Sequence, residues 1–169
     1  RTSDVLAMAN WPTFDPNLTD QRNPDLYRNR TITDYFEPGS TFKVFLVSAA
    51  LQEGTIREKD KVFCENGRCV LAGHTINDVH PYGWLTVPDV IKHSSNIAAS
   101  KMALQLGSER YHRYIKAFGF GEPTGVQLPG EAKGQVRPWK KWRPIDLATT
   151  GFGQSIGVTA LQLSQGIAC

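Results

Sequence analysis

The sequence predicts a helix-rich α/β domain, and three observations carry that prediction. Helix-start residues followed by apolar side chains on successive turns occur at Ser40, Thr86, Ser108 and Thr159, with the small-residue stretch "SNIAASKMALQLG" among them. Strand-like runs are fewer and shorter. The 169 residues, 40% apolar and 21% charged, match one domain with its own core and not a disordered tail.

In chain order, "VLAMANW" at 5–11 reads as a strand, and the Pro- and Asp-rich "PTFDPN" behind it as a loop. "RNRTITDYF" alternates polar and apolar residues and is expected to be extended. From Ser40, "STFKVFLVSAALQEG" puts apolar residues on every helical turn and stops at Gly54, a residue that readily takes the left-handed conformation that closes a helix. In "VFCENGRCVL", Asn66-Gly67 is a strong hairpin signal, because a two-residue type I′ turn needs φ > 0 at both central positions. Glu65 and Arg68 would then form the hydrogen-bonded pair, and Cys64 and Cys69 the next, closer pair, where a disulfide fits. Such a bond implies an oxidising compartment. Cys169 is left over.

Further along, "TINDVHPYGW" reads as irregular chain. Thr86 is expected to cap the next helix, with Pro88 in its first turn, and Gly107 to close the one after it. "SERYHRYIKAFG" is expected to start on a Ser108 cap and stop at Gly119. A Gly- and Pro-rich connector, "FGEPTGVQLPGEAKGQ", leads toward the last helix, which starts at Thr159. There is no internal repeat and no low-complexity tract.

The net charge of +3 is scattered, apart from "RPWKKWRP" at 137–144, which reads as a solvated loop. Nucleic acid is therefore not expected as a partner. No run of apolar residues is long enough to span a membrane. The chain opens on a strand-like run and stops inside an apparent helix, so it is expected to be a fragment whose targeting or anchoring segment lies outside it. Trp11, Trp84, Trp139 and Trp142 are expected to pack in the core or between domains rather than to line a glycan groove.

The chemistry concentrates in "DYFEPGSTFKVFLVS" at 34–48. A serine hydroxyl is a weak nucleophile until a base takes its proton. Lys43 lies three residues after Ser40, one helical turn away on the same face, and can reach that hydroxyl. Burial among "VFLVSAAL" would hold the amine neutral part of the time. The helix N-terminus favours developing negative charge, and Pro38-Gly39 turns the chain sharply into it. Taken alone, Ser-x-x-Lys is more often a helix cap beside a solvated lysine. The second element is "IKHSSNIAAS", where Ser94-Ser95-Asn96 falls between two helices. There a second serine can relay a proton and an amide can hold a substrate carbonyl, although Ser94 or Ser95 could also simply cap the following helix. Both motifs in this order favour a serine acyl-transfer site.

With these motifs the chain resembles the transpeptidase domain of class B penicillin-binding proteins, whose signatures are Ser-x-x-Lys, Ser-x-Asn and Lys-Thr-Gly. "VLAMANWPTFDPN", "FGFGEPTGVQLPGE" and "FGQSIGVTALQLSQ" are similar to family stretches in family order, and the resemblance covers nearly the whole chain. "RNRTITDYFEPGSTFK" is most like the cell-division members, the penicillin-binding protein 3 type, with elongation- and sporulation-type paralogues close behind.

The resemblance implies an antiparallel sheet flanked by helices, of which residues 1–169 would supply the helix-rich part. It implies that Ser40 attacks the D-Ala-D-Ala carbonyl of a peptidoglycan stem peptide, with Lys43 as base, Ser94 as proton relay and Asn96 as substrate ligand. The backbone N–H of Ser40 would form half of the oxyanion hole, and β-lactams would acylate the same serine. No cofactor is required. Implied partners are stem peptides, β-lactams, a membrane glycosyltransferase and division proteins, at the outer face of the cytoplasmic membrane in the periplasm.

Two departures stand out. No Lys-Thr-Gly occurs, since Thr124-Gly125 follows Pro123 and Thr150-Gly151 follows Thr149. The rest of the domain, with its remaining strands, is therefore expected as a physical partner. "GQSIGVTALQL" also stands where relatives often read "GQGISVTPLQL". Cys64, Cys69, His74, Asp78 and His80 fall within seventeen positions, so zinc is an alternative to the Cys64–Cys69 disulfide, as are free thiols. Some elongation-type relatives carry zinc near this region, although Cys-x4-Cys is looser than a zinc knuckle. Residues 1–169 alone are expected to be inactive, and the alternatives to the transpeptidase are a β-lactamase or β-lactam sensor on the same fold, and an inactive fragment or non-catalytic docking module.

Overall fold

The computed structural model describes residues 4–18 and 23–169. Its elements are α1 (Arg30–Thr33), β1 (Tyr35–Phe36), α2 (Lys43–Gln52), β2 (Lys61–Phe63), β3 (Arg68–Leu71), β4 (His74–Asn77), β5 (Trp84–Thr86), α3 (Val87–His93), α4 (Asn96–Leu106), α5 (Ser108–Ala117), α6 (Pro144–Thr150), β6 (Val158–Thr159) and α7 (Ala160–Ala168). A 3-10 turn, Gly39–Phe42, leads directly into α2. The strands form three antiparallel pairs, β1 with β6, β2 with β5 and β3 with β4. None of the described helices is long and apolar enough to cross a membrane.

The core is built around α4. Ala98, Ala99, Ser100 and Ala103 are fully buried, and their small side chains let neighbouring helices approach closely. A Cβ added at Gly151, just after α6, would meet the Ala103 Cβ at 2.9 Å and the Ala99 carbonyl at 3.0 Å. The Ser100 hydroxyl donates to the Ala148 carbonyl and ties α4 to α6. On another side α2 contributes Phe45, Leu46, Ala49 and Ala50. Phe45 also meets Phe42, Phe118 and Phe120 in tilted and edge-to-face contacts, an aromatic wedge under the start of α2.

Helix starts follow local chemistry. Thr86 and Asp89 form a reciprocal capping box on α3, with Pro88 in the first turn, and Thr159 and Gln162 do the same for α7. Ser95 caps α4 by accepting from the Ala98 N–H. Ser108, however, lies inside α5; Gly107 occupies the cap position and no side chain caps that helix.

Several sequence expectations are corrected. Residues 4–10 form no strand, because a strand exists only through a ladder partner and none pairs with them among the described residues; Leu6 is 96% exposed. "RNRTITDYF" is not extended throughout. Asn10 Oδ1 accepts from both the N–H and the hydroxyl of Thr31, Arg30 pairs with Asp34, and α1 forms; only Tyr35–Phe36 is a strand. "TINDVHPYGW" is irregular over residues 78–83, as expected, but its ends are not, since it supplies all but the first residue of β4 and the first of β5.

The hairpin is displaced as well. Asn66-Gly67 sits in a 3-10 turn in which Glu65, Asn66 and Gly67 all have positive φ, so the chain bends out of β2 without pairing back on it. The two-residue turn is Ala72-Gly73, between β3 and β4, with φ of 49° and 78°. The Arg68 N–H still donates to the Glu65 carbonyl, but as the closing bond of that 3-10 turn and not as a ladder pair, and Cys64 and Cys69 are free thiols rather than a disulfide. The oxidising compartment loses its support from that bond.

"RPWKKWRP" is only partly solvated. It includes a 3-10 turn, Trp139–Lys141, and then the first residue of α6. The half-buried Trp142 donates to the Arg137 carbonyl and packs on Tyr111 and His112. Arg137 and Arg143 both pair with the buried Asp146, holding its carboxyl far below the usual range. Trp11 and Trp84 are exposed at 85% and 67% and so lie outside the core of the described residues, Trp84 resting against Phe63.

Replacing Phe120 by alanine removes a fully buried ring that contacts Phe42 and Phe45, and should cost about 3–5 kcal/mol of stability, measured by denaturant unfolding of the protein that carries this chain.

Candidate active site

Ser40 lies exposed in the 3-10 turn at the mouth of α2. Gly39 before it has φ of 57°, a left-handed conformation that costs a glycine little. Its N–H donates to the Gly153 carbonyl at 3.0 Å, and Glu37 accepts from the Ser155 N–H at 2.8 Å. A Cβ at Gly153 would collide with the Gly39 backbone. The segment entering Ser40 is thus braced from below by residues 153–155. The Ser40 N–H belongs to the first turn of a helix, where no carbonyl of the same helix can satisfy it, and is open to an incoming oxyanion.

Lys43, one turn on, is 1% exposed. Its Nζ stands 2.9 Å from Ser40 Oγ, 2.8 Å from Ser94 Oγ, 2.7 Å from the Ser94 carbonyl and 2.8 Å from Asn96 Oδ1. The carbonyl and the amide oxygen can only accept, so each needs an N–H from Lys43. The two hydroxyls can donate or accept. A proton reaching the amine lone pair must therefore come from Ser40 or Ser94. Burial pushes the Lys43 amine down to about 8, against the opposing pull of the Asp78 charge, so a large fraction is neutral near pH 8.

Ser94 closes α3 in the left-handed conformation, φ 57° and ψ 41°, which costs a non-glycine residue roughly 1–2 kcal/mol. That turn aims both its hydroxyl and its carbonyl at Lys43 and leaves Ser95 free to cap α4. Asn96 is held from two sides. Its Nδ2 donates to the Asn77 carbonyl at 3.1 Å, which fixes Oδ1 toward Lys43.

Ser40, Lys43, Ser94 and Asn96, each expected from the sequence, are thereby assembled around one nitrogen. Two contributions escape the sequence reading. Gly153 gives no signal because its role is to leave room for residue 39, and Asp78 stands out there only as a metal ligand. Asp78 instead accepts from Ser95 Oγ and from the N–H groups of Asn96 and Ile97. Cys64 is buried with its Sγ 3.4 Å from Ser95 Oγ, and no group of three or more His, Cys, Asp or Glu converges as a metal site among the described residues. The five-residue zinc cluster is therefore not formed; its carboxylate is already committed to the start of α4. The resemblance also assigns the reaction no cofactor, and burial pushes the Cys64 thiol up.

The family model for the penicillin binding protein transpeptidase domain matches residues 1–168. The chain belongs to that family. A probable peptidoglycan D,D-transpeptidase, PbpC, of Pseudomonas aeruginosa is 41% identical over 98% of the chain, and the peptidoglycan D,D-transpeptidase FtsI of Escherichia coli 42% over 97%. Stage V sporulation protein D of Bacillus subtilis is 34% identical over 96%. The chain spans 29%, 28% and 26% of these relatives. The transpeptidase domain of Burkholderia pseudomallei penicillin-binding protein 3 superposes with a TM-score of 0.81 at 41% identity, over 83% of this chain and 43% of that one. The fold is thus the penicillin-binding transpeptidase fold, here with its helices and three small antiparallel pairs.

Lys43 should titrate near pH 8, well below the ordinary lysine value, neutral above that pH and charged below it, in an NMR titration of labelled lysines assigned with Lys43→Arg. Gly153→Ala should displace Gly39 and lower the reactivity of Ser40 toward an acylating probe by about 10²-fold.

Proposed function

We propose that this chain carries the nucleophile end of a serine D,D-transpeptidase that cross-links peptidoglycan stem peptides. The observation that supports the reading best is the placement of one buried amine between two serine hydroxyls, at 2.9 Å and 2.8 Å. Neutral Lys43 takes the Ser40 proton as Oγ bonds to the carbonyl carbon of the penultimate D-alanine. The oxyanion is met by the Ser40 N–H and by a second donor outside this chain. Collapse breaks the C–N bond, and the leaving D-alanine amine receives its proton from Ser94 Oγ, replenished by Lys43. Asn96 holds the substrate amide. An amine of a neighbouring stem then attacks the acyl-enzyme, forming the new amide and returning a proton to Ser40.

A β-lactam enters the same route, but its cleaved nitrogen stays attached and blocks the acceptor. The adduct therefore persists. Residues 1–169 form part of the domain, and the remaining strands, with Lys-Thr-Gly, are supplied by the rest of the protein. Residues 4–10, which join no ladder among the described residues, and the groove of about 670 Å³ that they share with α7 suit that arrangement. The protein acts outside the cytoplasm, in septal wall synthesis or, as an elongation- or sporulation-type paralogue, in a sister process, with a membrane glycosyltransferase and division proteins as partners.

Incubating the full-length protein with benzylpenicillin should give one lasting adduct by intact-mass spectrometry, located on the peptide bearing Ser40 and absent from Ser40→Ala. Rapid penicillin turnover without an adduct would indicate a β-lactamase instead, and no reaction at all would overturn the reading.

A further inference from the structure

We propose that Asp78 is a positioning residue of this site, one whose carboxylate seats the Ser94–Asn96 segment against Lys43 and supplies the negative charge that faces that amine. The inference rests on the transpeptidase reading and deepens it.

The carboxylate stands at the end of β4, where both of its oxygens are committed to α4. Oδ1 accepts from the Asn96 N–H at 2.6 Å and the Ile97 N–H at 3.0 Å, and Oδ2 from the Ser95 hydroxyl at 2.6 Å. Ser95 Oγ meanwhile accepts from the Ala98 N–H at 3.0 Å, so its single proton is free for Asp78. These bonds neutralise first-turn donors of α4, which a helix cannot satisfy itself, and they place negative charge at the positive end of its dipole. The neighbouring Asn77 carbonyl holds the Asn96 side chain at the same time. Residues 77–78 therefore grip Asn96 by backbone and amide together. The left-handed Ser94, two residues earlier, is anchored through that grip on Ser95 and Asn96.

The charge has a separate effect. Lys43 is surrounded by neutral oxygens from Ser40, Ser94 and Asn96, and Asp78 is the charged group that acts on it. Around Asp78 itself lie Ser95 and the Cys64 thiol, with Lys101 and Glu65 paired to each other nearby. Burial favours neutral Lys43 and Asp78 favours the charged form, so the carboxylate retains a protonated fraction near neutral pH. That fraction has no lone pair for the Ser40 proton, so the charge sets the pH below which acylation falls; once neutral Lys43 has taken that proton, the same charge steadies the ammonium that passes it to the leaving group through Ser94.

Three variants of the full-length protein separate position from charge. Asp78→Asn keeps an oxygen for the Asn96 and Ile97 N–H groups but removes the charge; the Lys43 titration read by NMR and the acid limb of Ser40 acylation by benzylpenicillin should both move to lower pH, with the maximal rate within about tenfold of wild type. Asp78→Ala removes both and should cut acylation by about 10²-fold. Ser95→Ala keeps the charge and should lower the rate severalfold with the pH midpoint unmoved. An unmoved Lys43 titration in Asp78→Asn overturns the inference, as does wild-type acylation in Asp78→Ala. If Asp78→Ala fails to fold, the near-isosteric asparagine variant and Ser95→Ala decide between these outcomes. A wild type that takes no β-lactam defeats the functional reading instead, while the Lys43 titration still tests Asp78.

Discussion

Everything at this site depends on keeping the end of a lysine out of water. An isolated ammonium would lose several kcal/mol on burial, so the chain must surround it with oxygens or neutralise it. It does both. Four oxygens from three residues stand within 2.9 Å of Lys43 Nζ, and the amine is driven down to about 8. The arrangement is costly in the same way that any buried polar cluster is costly, since removing one partner leaves the others unsatisfied. That cost explains why a left-handed serine, a carboxylate on the start of α4 and a glycine with no room for a side chain all gather around it.

The scaffold solves a packing problem for the same end. The two reactive motifs lie on α2 and at the start of α4, and they meet only because those helices pack closely. Buried alanines on α4 allow its close packing with α6, and Phe42, the last residue of the Gly39–Phe42 turn, packs with Phe45 and Phe120, with Phe118 against Phe45, under the mouth of α2. Polar anchors sit where apolar packing cannot set a direction. Ser100 ties α4 to α6, and Tyr111, buried in α5, donates to the Thr150 carbonyl.

Legibility in the sequence tracks dependence on near neighbours. The Ser40–Lys43 distance is a property of helical spacing, and the Thr86 and Thr159 caps are closed by residues three positions away, so each is readable. Asn66-Gly67 misleads because a dipeptide signal for positive φ says nothing about which strands flank it; a third left-handed residue, Glu65, turns the chain elsewhere. The strand expected at 5–11 fails for want of a ladder, a property of the partner and not of the segment. Asp78 is invisible in its actual role because its acceptor geometry joins β4 to a helix 17–19 residues later, and an aspartate between Asn77 and Val79 is compatible with many uses.

The brace under Ser40 also fixes when the site can exist. Glu37 and Ser155 are separated by 118 positions, and β1 waits for β6 at Val158–Thr159 to be paired at all. As the chain emerges from the ribosome, α2 and the Ser40–Lys43 pair are complete long before the segment that holds their entrance has been made. The nucleophile is therefore synthesised well ahead of the residues that set it in place. During that interval its long-range closure carries the entropy of a very large loop, the signature of slow assembly. The reactive centre is therefore complete only once the whole 37–155 stretch has been made and folded together.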